Sequence, residues 1–485
     1  MAVGRPERPE VAVVGAGIAG LAAAWELIAT GDVSVTLFDS AEQVGGKLRS
    51  SKVAGIQVDE GAESMLAVRP EAVRLAAAVG LRPSIVHPAT AEAFVLSRGE
   101  LRPLPPGLVS GVPTDLRALA ASRIMSIPGL LRIPFDQLLS GTEVGADISV
   151  GRLLTERLGR EVVDRLAEPL LAGVYAGNAD EISLRMANPF LFRAVTRQSS
   201  LLNAARETRT GSASNVGARR GPVFAGIRGG VARLAAKTAD ALLAKGAMIR
   251  TGVTAERLRR TERGWQMVAN DASYEFDAVV LAVPAPVAAR LLRTSAPFAA
   301  IQLRSVESAS VAVVTLAYRT AGLPELVGSG FLVPPVEGFR IKGVTYSSNK
   351  WEWLAREGGR RARGGTTIIR TSLGRYGDHE VLQRDDAELV ELAQVELAEI
   401  AGLPIGVLDA RVTRWQDSLP QYRVGHVDLI QRARDALLDA PGLALAGAAY
   451  DGVGIAACIA SGATAARTVS RQLQERGPHS VDAHG

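Results

Sequence analysis

The chain has a single cysteine among its 485 residues, five histidines, and aromatics at only 5%. Cys458 has no partner within the chain, so no intrachain disulfide is available, and the lack of cysteine pairs suits a reducing, cytoplasmic setting. No CxxC or HExxH occurs. His87, His379, His426, His479 and His484 stand at no ligand spacing, so no metal site is expected. Charge of one sign is scarce, 55 basic against 50 acidic residues for a net +5. The basic clusters at 206–220 and 356–363 lack interleaved aromatics on which bases could stack, so nucleic acid is not an expected partner. A clean membrane-length apolar run is also missing. Residues 443–466 are long and nearly uncharged, but Asp451 and repeated glycines interrupt them and much of their apolarity is alanine. They read as a buried strand, turn and helix. Residues 11–29 resemble a signal-peptide core, yet their glycine spacing accounts for them fully.

What is present is a well-cored chain, 47% apolar and 22% charged, long enough for two or three domains. Its most informative stretch is VAVVGAGIAG, residues 11–20, a β-branched run entering Gly15, Gly17 and Gly20 ahead of an Ala/Leu-rich helical pattern. Gly15 permits a tight turn, Gly17 lets backbone N–H groups approach a pyrophosphate, and Gly20 lets the helix pack close to the strand. The strand VSVTLF ends at Asp39, nineteen residues past Gly20, the place for an acid that bonds a ribose 2′-OH. A free 2′-OH fits FAD or NAD and argues against NADP. The turn alone does not choose between the two.

Further along, the paired glycines Gly45 and Gly46 open a loop suited to the ribose and pyrophosphate. Residues 100–141 are punctuated by six prolines and read as short helices covering something. From 148 the spacing of Leu153, Leu154, Leu158, Val162 and Leu166 predicts a helix. Residues 200–220, polar and basic with few apolar anchors, read as a mobile loop. Residues 311–318, 331–346 and 366–373 read as strands of a second sheet, and 385–401 as an acidic helix with Leu389, Leu392, Val395 and Ile400 inward. At the end, LALAG, GAAYDGVG and IAACIASGATAARTVSRQL give a second strand, glycine turn and helix N-terminus, suited to the other end of one cofactor.

These motifs resemble those of the flavin amine oxidase superfamily, and within it the bacterial oxygen-dependent porphyrinogen oxidases acting on coproporphyrinogen III or protoporphyrinogen IX. The similarity runs through GAGIAGLAAAWEL, GGKLRS, DEGAES, EPLLAGVYAG, FAGIRGGVARL, IKGVTYSSNKW, WQDSLPQYRVGH and AGAAYDGVGIAACIASG. It implies an α/β fold: a discontinuous Rossmann-type FAD-binding domain (1–80, 222–285, 405–475), a mixed-sheet substrate domain (86–100, 286–404), a helical subdomain (101–221) and a flexible tail (476–485).

It also implies noncovalent FAD. Gly15, Ala16, Gly17, Ile18, Ala19, Gly20 and Gly46 would hold the pyrophosphate end and Asp39 the ribose. Val253 would lie on the adenine side, and Lys47, Gly61, Ala62, Glu63 and Ser64 near the cofactor. Val453, Gly454 and Ile455 would meet the pyrimidine edge of the isoalloxazine. Helix N-terminal N–H groups there would stabilise the negative charge that reduction leaves over N1 and O2.

The implied reaction is oxidation of coproporphyrinogen III to coproporphyrin III in haem biosynthesis, with hydride transfer to N5, reoxidation by O2 and release of H2O2. Aromatisation drives it, so no catalytic side chain is required. Val174 and Tyr175 would lie against the macrocycle, with Arg69 at a propionate and Lys342 and Lys350 as further cations. The mitochondrial and plastid branch carries an arginine where this chain has Glu63, and the pairing of that acid with Arg69 points to the four-propionate substrate. Protoporphyrinogen IX is the alternative; amine oxidation and non-catalytic porphyrin binding are more distant ones. A ferrochelatase is a candidate partner. Residues 101–141 are candidates for a helical lid or for peripheral contact with the inner face of the membrane.

Overall fold

The computed structural model describes residues 8–215, 222–359 and 364–476, and two sheets organise them. The first has five parallel strands in the order Met248–Arg250, Ser34–Phe38, Glu10–Val14, Ala278–Leu281, Leu443–Leu445. It is assembled from three distant stretches. VAVV and AVVL are buried on both faces, the composition a covered parallel sheet needs. The helices Ile18–Thr30 and Ile455–Arg476 lie on one face and touch where Gly462 has no side chain. A Cβ there would fall 2.1 Å from the Ala19 carbonyl oxygen. The other face carries the antiparallel trio Ala255–Arg260, Trp265–Ala269 and Ala272–Phe276, with Trp265 fully buried. The apolar run 443–466 is thus a strand, a turn and part of the closing helix, and among the described residues no helix is long and apolar enough to cross a membrane.

The second sheet has seven strands in the order Asp409–Pro420, Ser308–Arg319, Thr366–Leu373, Ile341–Thr345, Gly330–Leu332, Phe94–Ser97, Glu100–Pro103. Only Gly330–Leu332 and Phe94–Ser97 pair in parallel, so the sheet is mixed, and the fold is the expected α/β class. One face packs on the helix Asp386–Ala401, which starts in a capping box formed by Asp385 and Glu388. Leu389, Ala393 and Leu397 form its inner line, with Leu392 and Ile400 beside them. Val395 was expected inward and is 45% exposed, because it falls outside the stripe those residues define.

A helical region packs against this sheet. The amphipathic pattern from 148 onward is interrupted at Gly159, whose φ of 97° ends the helix Val150–Leu158 before the chain resumes helically toward Glu168–Tyr175. All five expected apolar positions are buried. The mobile loop expected at 200–220 is instead a helix over Leu201–Asn215, with residues 216–221 outside the described residues. Its N-terminus is held from far along the chain. The buried Asp136 carboxylate accepts from the Leu201 and Leu202 N–H groups at 3.1 and 3.0 Å and from Ser200 Oγ at 2.6 Å. Residues 101–141 form short strands and helices, among them Leu116–Ser122 and Ile127–Arg132, that leave Ile127, Leu131, Phe135 and Leu138 exposed.

Candidate functional site

The first glycine turn is built as its spacing requires. Gly15 has φ 102°, and a Cβ there would lie 2.4 Å from the Ala282 carbonyl oxygen; one on Gly20 would lie 1.8 Å from that of Gly15. Gly17 differs, because nothing stands within 4 Å of where its Cβ would be. This open space faces the N-terminus of the helix Ile18–Thr30, where unpaired N–H groups favour an anion. Gly46 closes one side, its Cβ position 3.2 Å from Gly17 Cα, and Gly45 N–H bonds the Ala16 carbonyl at 2.8 Å. Asp39 accepts from the Ala16 and Ala41 N–H groups at 2.6 and 2.8 Å, and its carbonyl accepts from Val253 N–H at 2.9 Å. Ala16 therefore spends its amide on Asp39, and Ile18 and Ala19 are buried in the helix packing.

The loop Gly61–Ser64 bridges the two sheets. A Cβ on Gly61 would sit 2.3 Å from the Lys47 carbonyl oxygen and 3.2 Å from the Trp415 ring, so only glycine lets the loop pass between them. Lys47 is accessible to solvent yet closely surrounded by protein, as a residue lining an interior cleft is. That burial lowers its pKa, while the nearby Cys458 opposes the shift.

Glu63 then reaches the seven-stranded sheet. Its carboxylate accepts from Lys350 Nζ at 2.6 Å, Arg370 Nη1 at 2.9 Å and Ser347 Oγ at 3.1 Å, while Arg370 Nη2 bonds the Gly61 carbonyl at 2.6 Å. Burial pushes the Glu63 pKa up, but Lys350 and Arg370 outweigh it and hold it near 2. Asp59, four residues earlier, is raised to about 6 by burial, even though it accepts from the Val231 and Ala232 N–H groups at the start of a helix.

Arg370 lies on the face of the sheet turned away from the helix Asp386–Ala401. Two residues on, Ser372 pairs with Val313 and Gly343, and Gly343 pairs in turn with Leu332. These four and Thr345 are only partly buried although they sit on inner strands, so this part of the sheet is left partly open, with Leu332 packed toward the helical region. The helix Glu168–Tyr175 borders it, with the Cβ position of Gly173 3.6 Å from Leu332. Val174 is half exposed and Tyr175 partly buried.

Tyr175 is also tied to the closing turn. Gln421 Nε2 donates to its carbonyl at 2.8 Å, and its ring meets that of Tyr422 with centroids 5.4 Å apart. The Tyr422 hydroxyl donates to the Ala448 carbonyl, and His426 Nε2 bonds the Ala449 carbonyl at 2.8 Å. Beyond this turn Gly454 faces open space, like Gly17, and the helix Ile455–Arg476 begins. Cys458 is buried with its thiol toward the Gly452 and Val453 carbonyls, and burial pushes its pKa up to about 11.

Two sequence expectations change here. Lys342 is not a free cation: it is 3% exposed at a bulge between Ile341 and Gly343, and its ammonium is spent on the Gly374 carbonyl at 2.8 Å. Burial, helped by Arg375, lowers its pKa to about 7. Lys350, expected as a substrate cation, is instead paired with Glu63. Arg69 is exposed just before the helix Pro70–Ala78. Sequence reasoning gave no role to Gln421, Tyr422 or His426; their place inside the particular motif WQDSLPQYRVGH was the available signal.

Two glycine turns with open space before them, on either side of one strand of the parallel sheet, define a dinucleotide-binding protein. The profile of the flavin containing amine oxidoreductase family matches residues 18–470, and the chain belongs to that family. It is 36% identical over 95% of its length to the coproporphyrinogen III oxidase of Mycobacterium leprae, 98% of which is covered. With that of Bacillus subtilis the identity is 30%, covering 94% of this chain and 97% of the relative. A structure from Exiguobacterium sp. 255-15, provisionally assigned as a protoporphyrinogen oxidase, superimposes with a TM-score of 0.84 at 28% identity, covering 97% of this chain and all of that one. The enzyme is thus a flavin-dependent oxidase, and the spaces at Gly17 and Gly454 fit such a cofactor.

Proposed function

We propose that the chain oxidises coproporphyrinogen III to coproporphyrin III with noncovalently held FAD, passing electrons to O2. The observation that carries the substrate is the 36% identity over nearly the whole chain to a coproporphyrinogen III oxidase. The geometry agrees with it. A flat macrocycle needs an open wall, and the partly buried Val313, Gly343, Thr345 and Ser372 on inner strands offer one, bordered by Leu332. An amine substrate would want an aromatic pair with a gap between the rings, whereas Tyr175 and Tyr422 are in direct contact and Tyr450 is buried in the core.

In this reading Gly15, Gly17, Gly20 and Gly46 receive the pyrophosphate, Asp39 the ribose and Val253 the adenine side. Lys47 and Gly61–Ser64 border the flavin. The N–H groups of Val453, Gly454 and Ile455 meet its pyrimidine edge. Val174 and Tyr175 flank the macrocycle and Arg69 meets a propionate. Bound flavin supplies two-electron chemistry; the side chains orient the substrate and exclude water. No acid or base is assigned, and Glu63 is already committed to two cations. The buried, protonated Cys458 is poorly suited to attack a flavin, which supports noncovalent binding.

Aerobic porphyrin fluorescence with FAD-loaded protein tests the reading, comparing kcat/KM for coproporphyrinogen III and protoporphyrinogen IX after subtracting autoxidation. Preference for the first, reduced in Arg69→Ala, is expected. Preference for the second would overturn the substrate assignment. Acid precipitation should leave the yellow colour in the supernatant, and colour retained in the pellet would overturn noncovalent binding.

A further inference from the structure

The turn between the last strand of the parallel sheet and the closing helix is poorly suited to hold its own shape. Gly447 and Gly452 have φ of 126° and 134°, and the helical piece between them, Ala448–Asp451, is a single turn. Nearly every residue of that turn is nevertheless tied down from outside. Gly447 N–H bonds Ser461 Oγ at 3.1 Å, and Ser461 Oγ bonds the Asp451 carboxylate at 2.7 Å. Arg434 also grips that carboxylate, with Nη2 2.8 Å from both oxygens.

The first two carbonyls of the one-turn helix are held by side chains of one segment. Tyr422 donates its hydroxyl to the Ala448 carbonyl, at the start of the one-turn helix. His426 bonds the next carbonyl, Ala449. A carbonyl only accepts, so His426 Nε2 carries a proton, and burial lowers its pKa so that the neutral Nε2–H form persists. The two rings lie 4.8 Å apart and support one another. Tyr422 is fully buried, and burial keeps its hydroxyl protonated as a donor.

We propose that Tyr422 and His426 are positioning residues for the flavin: by clamping the Ala448 and Ala449 carbonyls they fix the direction of the N–H groups at Val453–Ile455, and thereby the reduction potential. The proposal rests on placing the pyrimidine edge at Val453–Ile455. Reduction adds negative charge to that edge, and fixed donors stabilise it without having to reorient. Loosened donors stabilise the reduced form less, which makes the potential more negative. Because Tyr422 also meets Tyr175 and Gln421 holds the Tyr175 carbonyl, the same clamp keeps the substrate wall in register with the turn.

The test is the midpoint potential of the flavin-loaded protein in Tyr422→Phe, His426→Phe and His426→Gln, with Ile455→Pro as the reference. Proline is tolerated at the first position of a helix and removes one of the donors in question. The expected result is a more negative potential in Tyr422→Phe, His426→Phe and Ile455→Pro. His426→Gln, which can return an N–H to the Ala449 carbonyl, should lie near the parent. Wild-type potentials in both Phe variants, even with a lower Tm, would overturn the clamp. If Ile455→Pro alone shifts the potential, the clamp fails while the flavin placement stands; if none of the four shifts it, both fail.

Discussion

Glu63 and Arg370 lie 307 residues apart and meet with 2.9 Å between Oε2 and Nη1, one on the loop leaving the parallel-sheet half of the chain, the other on a central strand of the seven-stranded sheet. Lys350 completes the contact at 2.6 Å. The three groups carry a net positive charge in a mostly buried place.

Glu63→Gln should therefore destabilise the fold by about 3–5 kcal/mol, the cost of leaving a buried charge without its partner. The carboxyl pKa falls from 4.5 to about 2 on folding, so its contribution is complete above 4.5 and is lost as pH falls toward 2. Urea unfolding of both proteins at pH 7 and pH 3.5 checks this: the gap should narrow at the lower pH. An equal gap at both would remove the ion pair as its cause.

Lys342 gives the opposite test. Its pKa falls from 10.5 to about 7 on folding, so the unfolded chain binds the extra proton between those values and stability declines as pH falls from 10.5 toward 7. One pH unit inside that window is worth at most about 1.4 kcal/mol from this residue. Lys342→Met should flatten the rise in unfolding free energy between pH 7 and 9. Identical slopes in the two proteins would mean that Lys342 is not the group responsible.

Much of the geometry of the candidate cofactor site was legible because its determinants are local. Gly15, Gly17, Gly20 and Asp39 lie within one strand, helix and strand, and each glycine's role follows from its spacing. The closing strand, turn and helix were legible for the same reason. What could not be read depends on contacts between distant segments. Nothing near Leu201 announces the cap supplied by Asp136. Lys342 sits in a strand pattern that gives no sign of the bulge burying its amine, and the partners of Glu63 lie nearly 300 residues away. Tyr422 and His426 were visible only as letters of a motif, because their acceptors, Ala448 and Ala449, are backbone carbonyls with no sequence signature.

Asp136→Ala should melt the helix it caps. The carboxylate is fully buried and also accepts from Arg157 Nε at 2.6 Å, so its loss strands a buried guanidinium as well as two N–H groups. A destabilisation of about 3–5 kcal/mol is expected. Amide hydrogen exchange should rise first over Leu201–Asn215, while the parallel sheet keeps its protection. Uniform loss of protection throughout would mean that the cap has no local role.

Gly17 and Gly20 separate folding from cofactor binding within a single turn. A Cβ at Gly17 has no protein atom within 4 Å and the residue has φ −67°, which any L-residue adopts; a Cβ at Gly20 runs into the Gly15 carbonyl oxygen at 1.8 Å. Gly17→Val should cost the flavin-free protein no more than about 1 kcal/mol of stability, the loss of a glycine at the N-cap of Ile18–Thr30. The same change should abolish flavin uptake, because the added methyls occupy the space where the pyrophosphate must approach the backbone. Gly20→Ala should lower the Tm of the flavin-free protein directly. Scanning calorimetry of the apoproteins and flavin titration by fluorescence quenching read the two effects independently. Normal flavin uptake by Gly17→Val would mean that the phosphates do not approach at this turn, and the assignment of the open space before Gly17 would fall.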